Sequence, residues 1–396
     1  MKKLTTGILV LGMLASCEQP APVLEFSVKN PLNTDRFSET VSIAPEKFDS
    51  LAGTSGIENL LITDKASGDT LVTQLVDNDG DGTPDELLFQ TDLKGGATRE
   101  LVAKISEDVP AQKTAGELTT FSRFVPERTD DYAWENDRVA FRTYGPEAQR
   151  RVEEGEPGGT LSSGMDAWLK RVEYPVIDKW YKNNEEEEGA YHKDTGEGYD
   201  PYHVGSSRGV GGTGIWMNDS LYTSKNFTDY KTIAVGPVRT VFELKYAAWN
   251  ADSIKVKETK RISLDLGSNL SRFESVYESE EPLPNVTIGL MLHEKEGEIR
   301  TEKEEGWFRY WEPMDGSELG VGVVIAPAMV MNYKDHRVDY KDGSQLLVMA
   351  DAKDNKVVYY AGFGWKKSDQ FADAGEWDAY LKHFAERLAN PVEVQF

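Results

Sequence analysis

The residues of this chain that could do chemistry concentrate in one short segment, 191–209. It holds His192 and His203, two of the five histidines in the chain, together with Tyr202, Arg208 and several glycines. Imidazole changes charge near neutral pH, so histidine is well suited to proton transfer. Glycine lets a backbone approach a ligand closely. The segment is therefore predicted to be a loop in which His192, Tyr202, His203 and Arg208 carry out acid–base catalysis.

A second group of residues could bind an anionic, sugar-like ligand. Residues 202–245 include five basic and three acidic residues, which is a local positive excess in an acidic chain. Arginine and lysine bind carboxylates, and aromatic rings offer large apolar faces. The predicted substrate-binding residues are Arg142, Tyr144, Trp168, Lys170, Trp216, Lys225, Arg239 and His293. The alternative is that the aromatic residues belong to the core and the cations to the surface.

An aspartate-rich run from Asp77 to Glu86 predicts a calcium loop. Ca²⁺ takes about six to eight oxygen ligands, and alternating aspartates present several carboxylates to one centre. The twelfth position of an EF-hand loop would fall on Leu88, so the run is more similar to shorter extracellular calcium loops. The ion would be structural, and the alternative is an acidic turn without an ion. The predicted ligands are Asp77, Asp79, Asp81, Asp85 and Glu86.

The N-terminus has the pattern of an export signal. Two lysines precede a mainly apolar run that ends at Leu14, too short for a bilayer span of about 20 apolar residues. The following Ala15-Ser16-Cys17 is typical of a lipobox, whose cysteine is acylated. We predict a signal peptide over 1–16, a lipidated tether over 17–23 and a protein anchored to the cell envelope, periplasmic or surface-exposed. The alternative is an ordinary secretory signal.

Composition excludes several classes of function. The net charge is −24, from 68 acidic and 44 basic residues, which argues against a nucleic-acid partner. A local basic pocket can still bind an acidic sugar, because distant charges are screened. The chain contains no Walker loop and no His-Glu-x-x-His, and no organic cofactor is predicted. Cys17 is the only cysteine, so no disulfide can form within the chain.

The elements that must position these residues are mainly strands. Apolar residues alternate with polar ones in 238–246 and 254–265, which predicts long strands. Spacings of three and four from Trp377 to Leu388 predict a helix that ends at Asn390-Pro391. The predicted fold is a large antiparallel β-sandwich of the mutarotase-like supersandwich type (116–396), with a small N-terminal β domain (24–115) and a C-terminal helix. Residues 120–235 are predicted to form long irregular functional loops.

Several motifs resemble a family of secreted bacterial lipoproteins that long carried only a domain-of-unknown-function label and includes an ulvan oligosaccharide dehydratase. The motifs are FVPER at 124–128, WENDRVAFR at 134–142, YHKD at 191–194, GGTG at 211–214 and GPVR at 236–239. The resemblance implies a carbon–oxygen lyase that removes water from a non-reducing-end uronic acid and leaves a 4,5-unsaturated residue. It carries no residue roles to this chain.

The residues are compatible with that reaction. A proton alpha to a carboxylate is removed more easily when a cation neutralises the carboxylate. We therefore predict His203 as the base, Tyr202 or His192 as the acid, and Arg208 with Arg142 as the carboxylate clamp. Two other functions remain open: a non-catalytic glycan-binding lipoprotein, and a mutarotase- or epimerase-like sugar enzyme.

Overall fold

The computed structural model describes residues 22–52, 56–106 and 118–396. The predicted signal peptide, Cys17 and most of the predicted tether lie outside these ranges. Within them, no helix combines the length and the apolar character that a membrane span requires.

The described residues form many strands and few helices. The strands are β1 (Val23–Lys29), β2 (Arg36–Ile43), β3 (Leu60–Asp64), β4 (Thr73–Val76), β5 (Glu86–Leu93), β6 (Thr98–Ile105), β7 (Phe121–Val125), β8 (Asp131–Glu135), β9 (Ala140–Thr143), β10 (Asp166–Lys170), β11 (Gly198–Tyr199), β12 (Val210–Met217), β13 (Ser220–Tyr222), β14 (Phe227–Ala234), β15 (Arg239–Tyr246), β16 (Trp249–Ala251), β17 (Ile254–Asp265), β18 (Leu270–Ser279), β19 (Val286–Met291), β20 (Glu298–Glu302), β21 (Trp307–Met314), β22 (Ser317–Ile325), β23 (Val330–His336), β24 (Gln345–Ala350), β25 (Lys356–Trp365) and β26 (Glu393–Gln395). The α-helices are α1 (Asp49–Ala52), α2 (Pro146–Glu154), α3 (Ile177–Glu186) and α4 (Ala374–Ala389).

The N-terminal strands form two small sheets around their own apolar core. One sheet has the order β26-β1-β6-β3 and the other the order β2-β5-β4. Phe26, Phe48 and Phe89 meet edge to face between them. The last strand of the chain, β26, pairs antiparallel with β1, so the C-terminus belongs to this N-terminal unit. The predicted bounds of 24–115 did not include that strand.

The predicted antiparallel β-sandwich is confirmed. One layer is a sheet with the path β14-β15-β17-β18-β25-β22-β21-β20, on which β16 pairs with β17. Two five-stranded sheets face it, β11-β10-β9-β8-β7 and β13-β12-β19-β24-β23, joined by a bridge between Met165 and Gly209. Alternate residues of all three sheets point inward and share one continuous core, as period-two strands require.

The predicted C-terminal helix is confirmed as α4, which packs on the outer face of the large sheet. Asp373 caps it by accepting hydrogen bonds from the backbone N–H groups of Gly375 and Glu376. The helix lies very close to β22, because β22 presents glycine there. A Cβ on Gly320 would lie 2.6 Å from the Trp377 ring. Larger residues on this strand would therefore push the helix away from the sheet.

The region predicted as irregular loops instead carries eight strands, β7 to β14, and the two α-helices α2 and α3. α3 covers the outer face of β8, β9 and β10, where it packs with Trp168 and Tyr191. Its start is fixed by Glu135, whose carboxylate accepts hydrogen bonds from the backbone N–H groups of Val176 and Ile177. The prediction was wrong at β8, β9 and β10 because these strands are short and buried on both faces, which removes the alternation that marks longer strands.

Candidate functional site

The segment 191–209, which we name the strap, crosses the end of the sandwich and is fixed at several points. Its residues Gly198 and Tyr199 form β11 and pair with the end of β10. Gly198 has a φ of 109°, and a Cβ there would lie 2.0 Å from the carbonyl oxygen of Leu169, so only glycine fits. The backbone N–H of Asp200 donates to the carbonyl of Tyr191 at 2.8 Å. The predicted loop is therefore a well-fixed element.

Beneath the strap, the outer face of the sheet is charged. In β8, β9 and β10 the residues that face the sandwich core include the apolar or aromatic side chains of Tyr132, Phe141 and Leu169. The alternate residues, on the α3 side, include Asp131, Arg142 and Asp166, all of them buried. A buried charge must be paired to be tolerated. This face is therefore the unusual feature of the sheet.

Arg142 is the centre of this buried cluster. Its guanidinium donates to Asp166 Oδ2 at 2.6 Å and to Asp200 Oδ2 at 2.7 Å, and a carboxylate oxygen of Asp131 lies 3.8 Å away. The Tyr144 hydroxyl donates to Asp166 at 3.2 Å, and the guanidinium lies 5.2 Å from the Trp168 ring centre. Arg142 is thus paired with acids within the protein. The sequence prediction that Arg142 and Tyr144 meet a ligand directly does not agree with this placement.

Burial sets the protonation of the cluster. It raises the pKa of Asp131 to about 6, although Arg142 and Arg128 act in the opposite direction. Burial also raises the pKa of Asp166, and burial together with Asp166 raises that of Asp200 well above its ordinary range. Burial alone would lower the pKa of Arg142, but Asp200 and Asp166 hold it well above its ordinary value. The cluster therefore keeps its cation and favours protonated acids.

His192 stands at the outer edge of this cluster. Its Nδ1 lies 2.7 Å from the carbonyl oxygen of Asp200 and 3.5 Å from that residue's carboxylate. A carbonyl can only accept, so Nδ1 carries the proton and the neutral ring leaves Nε2 unprotonated. About half of the side chain, 52%, is exposed. This is the geometry of a general base with a fixed tautomer.

A second histidine holds the strap from the neighbouring five-stranded sheet. His293 follows β19, and its Nε2 donates to the carbonyl of His203 at 3.1 Å. Its Nδ1 lies 2.6 Å from Glu312, whose pKa burial raises. The ring also packs edge-on against Tyr202 at 4.5 Å. Because both ring nitrogens are occupied, His293 acts on the strap rather than on an external ligand.

Tyr202 lies near two acids, Asp166 of the Arg142 cluster and Glu312 beside His293. Its side chain is buried, and its hydroxyl has no hydrogen-bond partner among the described residues. Burial, together with the charges of Glu312 and Asp166, raises its pKa well above the ordinary value. A phenol in this position holds its proton at neutral pH.

The two strap histidines, predicted to work together, have separate partners. His203 Nε2 lies 3.2 Å from Asp342, on the side of the strap that faces the second five-stranded sheet. Its side chain is 53% exposed, the same as that of His192. Only His192 stands beside the buried Arg142 cluster. The structure therefore distinguishes two residues that the sequence treats as equivalent.

Arg208 does not join either histidine. Its guanidinium enters the sandwich interior and donates to Ser163 Oγ at 2.7 Å and to the carbonyl of Ser206 at 3.2 Å. Burial lowers its pKa to about 10. Nearby, Lys260 and Glu258 form a buried ion pair at 2.9 Å. The predicted carboxylate clamp is thus a structural residue of the core.

Two predicted ligand contacts, Lys170 and Trp168, are also internal. Lys170 is fully buried and donates to Glu135 at 2.9 Å and to the carbonyls of Asn136 and Tyr174. Trp168 packs among the rings beneath α3 and reaches no surface. All three protons of the ammonium group have partners, so neither side chain is available to an external sugar.

The remaining predicted contacts lie apart from the strap. Trp216 lies under Lys334, whose Nζ is 4.4 Å from the ring centre. Lys225 forms an exposed ion pair with Glu153. Arg239 lies between the sandwich and the N-terminal unit, where it donates to Asp265 at 2.9 Å. The structure does not bring these residues together.

The aspartate-rich run forms a tight acidic loop ahead of β5. Carboxylate oxygens of Asp77, Asp79 and Asp85 lie within 4.8 Å of one another. Asp77 accepts hydrogen bonds from the backbone N–H groups of Gly80 and Gly82, and the latter contact is the main cause of its lowered pKa. Three hard oxygen donors at this spacing fit a calcium ion. The other two predicted ligands turn elsewhere: Asp81 accepts from Thr83 N, and Glu86 from Ser42 and Asn78.

Residues 28–394 match the family described as Domain of unknown function (DUF4861). The chain belongs to this family. This DUF4861 chain is also similar to "Uncharacterized protein P7" of Formosa agariphila, which is 47% identical over 386 residues, or 96% of each chain. The dehydratase suggested by the sequence resemblance has no counterpart among these two findings.

The sandwich of this DUF4861 chain is also similar to a solved structure of Enterococcus faecalis, a protein in the glycosyl hydrolase family 38. The TM-score is 0.50 at 11% identity, over 93% of this chain and 47% of that one. The chain thus spans about half the length of that protein. At this identity the likeness concerns the fold alone.

Four acids of the site were missed from the sequence of this DUF4861 member: Asp131, Asp166, Asp200 and Glu312. One signal was present for two of them. DYAWE (131–135) and DAWLK (166–170) both place charges in alternation with aromatic residues, which is unusual in buried strands. Asp200 and Glu312 have no such local signal, because only the fold brings them to the strap.

Proposed function

We propose that this protein is an acid–base enzyme of acidic sugars: a dehydratase or lyase that removes a leaving group by β-elimination from a non-reducing-end uronic acid. The observation that carries the proposal is His192. Its proton is fixed on Nδ1 by the Asp200 carbonyl, its Nε2 has no hydrogen-bond partner among the described residues, and half of its side chain faces solvent. A sandwich of this kind also occurs in a protein titled as glycosyl hydrolase family 38, which makes a carbohydrate ligand compatible with the fold.

The reaction needs one proton to move. His192 Nε2 takes the proton from C5, the C5–H electrons form the C4=C5 bond, and the C4–O bond breaks. The imidazolium returns the proton to the departing O4, so water leaves from a dehydratase substrate and an alcohol from a lyase substrate. The Asp200 carbonyl oxygen, which accepts the hydrogen bond from Nδ1, stabilises the transient positive charge on the ring. In this version His203, expected as the base, has no direct role.

The substrate carboxylate must be met by a cation other than Arg142 or Arg208, since both are enclosed. Arg171 follows β10 and lies along the strap, where its Nε donates to the carbonyl of Gly196 at 3.1 Å. It also pairs with Asp194, and its side chain is partly exposed. A uronate that replaces Asp194 as its partner would be held beside the strap and neutralised.

The test is an absorbance assay of the conjugated product on a panel of uronic-acid oligosaccharides. Wild-type protein should produce an unsaturated uronate, and His192→Gln should lower kcat/KM by about 100-fold or more. His203→Gln is the matched control, because its side chain has the same exposure and stands in the same strap. Arg171→Gln should raise KM more than it lowers kcat.

Two results would reject this assignment. If no substrate gives an absorbing product, the elimination is wrong. If His192→Gln and His203→Gln retain the same rate as wild type, elimination stands but the strap is not its site. The proposal also includes the lipid anchor at Cys17, which would hold the enzyme at the cell envelope where acidic polysaccharide fragments arrive.

A further inference from the structure

A cavity lies where the N-terminal unit, the large sheet and α4 meet, and none of its lining residues belongs to the strap. It encloses about 430 Å³, within the range of small-molecule sites. Ser38 to Thr40 of β2 form one wall, and Tyr380, Phe384 and Arg387 of α4 form another. The outer face of β17 and β18 forms the floor. All three structural units therefore contribute to it.

The cavity is positively charged although the protein is strongly acidic. Four arginines line it, against two carboxylates, Glu39 and Asp265. The arginines are Arg138, Arg239, Arg272 and Arg387. A concave, locally cationic surface attracts anions even when the distant surface is negative.

Two of these arginines are not fully neutralised. The buried Nε of Arg138 has no hydrogen-bond partner in the described part of the chain, and Asp137 lies 4.0 Å away. Arg272 donates to Glu274 at 2.8 Å, but Glu274 also pairs with Lys356, so one carboxylate serves two cations. Arg239 is held by Asp265, whereas Arg387 shares Glu39 with Arg36. Arg138 and Arg272 thus retain capacity for an anion.

The backbone at Arg138 is held in place before any ligand arrives. Its N–H donates to Asn136 Oδ1 at 2.8 Å, and its carbonyl accepts from Gln370 at 3.2 Å. Asn136 is in turn anchored to the carbonyls of Asp265 and Ser268. Holding the chain in place on both sides of Arg138 reduces the ordering cost of binding.

Aromatic rings complete the cavity. Tyr360, Phe371, Tyr380 and Phe384 line it, and Phe37 at its edge is 61% exposed. Tyr360 packs against Phe384 at 5.0 Å and Phe371 against Tyr380 at 5.5 Å, so the rings support one another. Flat apolar faces beside guanidinium groups suit a sugar ring that carries an acid.

A neighbouring groove extends the same surface towards the aspartate-rich loop. It shares Arg239, Ser263, Arg272 and Tyr360 with the first cavity. Its far end is lined by residues of that loop and by Arg261. A ligand longer than one sugar could therefore continue from the cavity along the sheet.

We propose that this cavity is a binding site for an anionic sugar residue, a uronic acid or a sulfated sugar, held by Arg138 and Arg272 against the aromatic wall. The site is separate from the strap and does not depend on the elimination chemistry proposed above. The protein would hold an acidic glycan in this cavity while the strap acts on the same glycan or on a second one.

Isothermal titration calorimetry on the mature protein, with sodium glucuronate as the probe, tests the proposal. Glucuronate should bind and neutral glucose should not, and added salt should weaken the binding. Arg138→Gln and Arg272→Gln should each weaken it by about tenfold. Inorganic sulfate forms a second arm: sulfate binding without glucuronate binding would assign a sulfated sugar to the same site.

Arg150→Gln is the control for a lost arginine charge, since Arg150 lies on α2 among its own glutamates. His192→Gln should bind glucuronate as wild type does, and Arg138→Gln should keep wild-type elimination rates on short substrates. If neither anion binds, or if Arg138→Gln and Arg150→Gln bind alike, the site is wrong. Those outcomes leave the elimination assay untouched, so the two proposals can fail separately.

Discussion

Asp131 provides the sharpest test of the electrostatics beneath the strap. Burial raises its pKa to about 6, against an ordinary value of 3.8, despite the opposing charges of Arg142 and Arg128. Between these two pKa values the folded protein binds the proton more tightly than the unfolded chain does. The free energy of unfolding therefore falls as pH rises through this interval. The difference in pKa corresponds to about 3 kcal/mol, lost between about pH 4 and pH 6.5. Asp131→Asn mimics the protonated acid and should remove this loss.

The measurement is urea unfolding of wild type and Asp131→Asn at several values from pH 4 to pH 8. Acids outside the Arg142 cluster titrate in both proteins and cancel in the comparison, so the free-energy difference between the two reports Asp131 together with its effect on Asp166 and Asp200. It should grow in favour of the variant as pH rises and then level off above about pH 7. Asp229→Asn, a change at an exposed aspartate, should give a flat difference. A flat difference for Asp131→Asn would show that Asp131 is not held protonated by burial.

The remaining predictions concern the metal and the anchor. Calcium at millimolar concentration should raise the Tm of the wild-type protein by about 2–5 °C relative to the protein in chelator. The double variant Asp77→Asn, Asp79→Asn should lose that response. If the wild-type protein melts at the same temperature in calcium and in chelator, the loop is an acidic turn without an ion. The precursor should partition with membranes through Cys17, and Cys17→Ala should release it to the soluble fraction; a membrane-bound Cys17→Ala protein would contradict the lipid anchor.

The regular parts of the fold were predictable because their faces differ. β15 and β17 are long, and their residues alternate between core and solvent, so the period-two pattern is visible in the sequence. α4 has one apolar face on the sheet and one polar face outside, and its cap and stop residues are standard. β10 was less visible, since all five of its residues are buried.

The pairing that builds the site could not be predicted in this way. Arg142 of β9 and Asp166 of β10 are direct partners in the register of their strands, which is why their side chains meet. Register follows from the whole sheet and its turns, not from either strand alone. The β26 pairing with β1 is a similar case, because it joins the two ends of the chain.

The sequence predicts histidine chemistry in the segment 191–209 but does not distinguish between its two imidazoles. The sequence identifies a segment with two imidazoles, and the structure places both at the surface of the strap with the same exposure. What separates them is the environment on the buried side. His192 contacts Asp200 of the Arg142 cluster, whereas His203 contacts Asp342, an acid from a distant turn. No pattern within 191–209 contains that difference.

The protonation of the buried acids decides whether an anionic sugar can approach His192 at all. If Asp131, Asp166 and Asp200 were all ionised, the cluster with Arg142 and Arg128 would be negative and would repel a uronate. Burial raises the pKa of each of the three acids, so the two guanidinium charges are in excess at any pH at which all three acids are protonated. A positive potential behind the strap would then draw the carboxylate in and stabilise the negative charge that develops when C5 loses its proton. On this argument Asp131→Asn, which fixes one acid in its neutral form, should retain elimination at high pH better than the wild type, and a steeper loss in the variant would refute it.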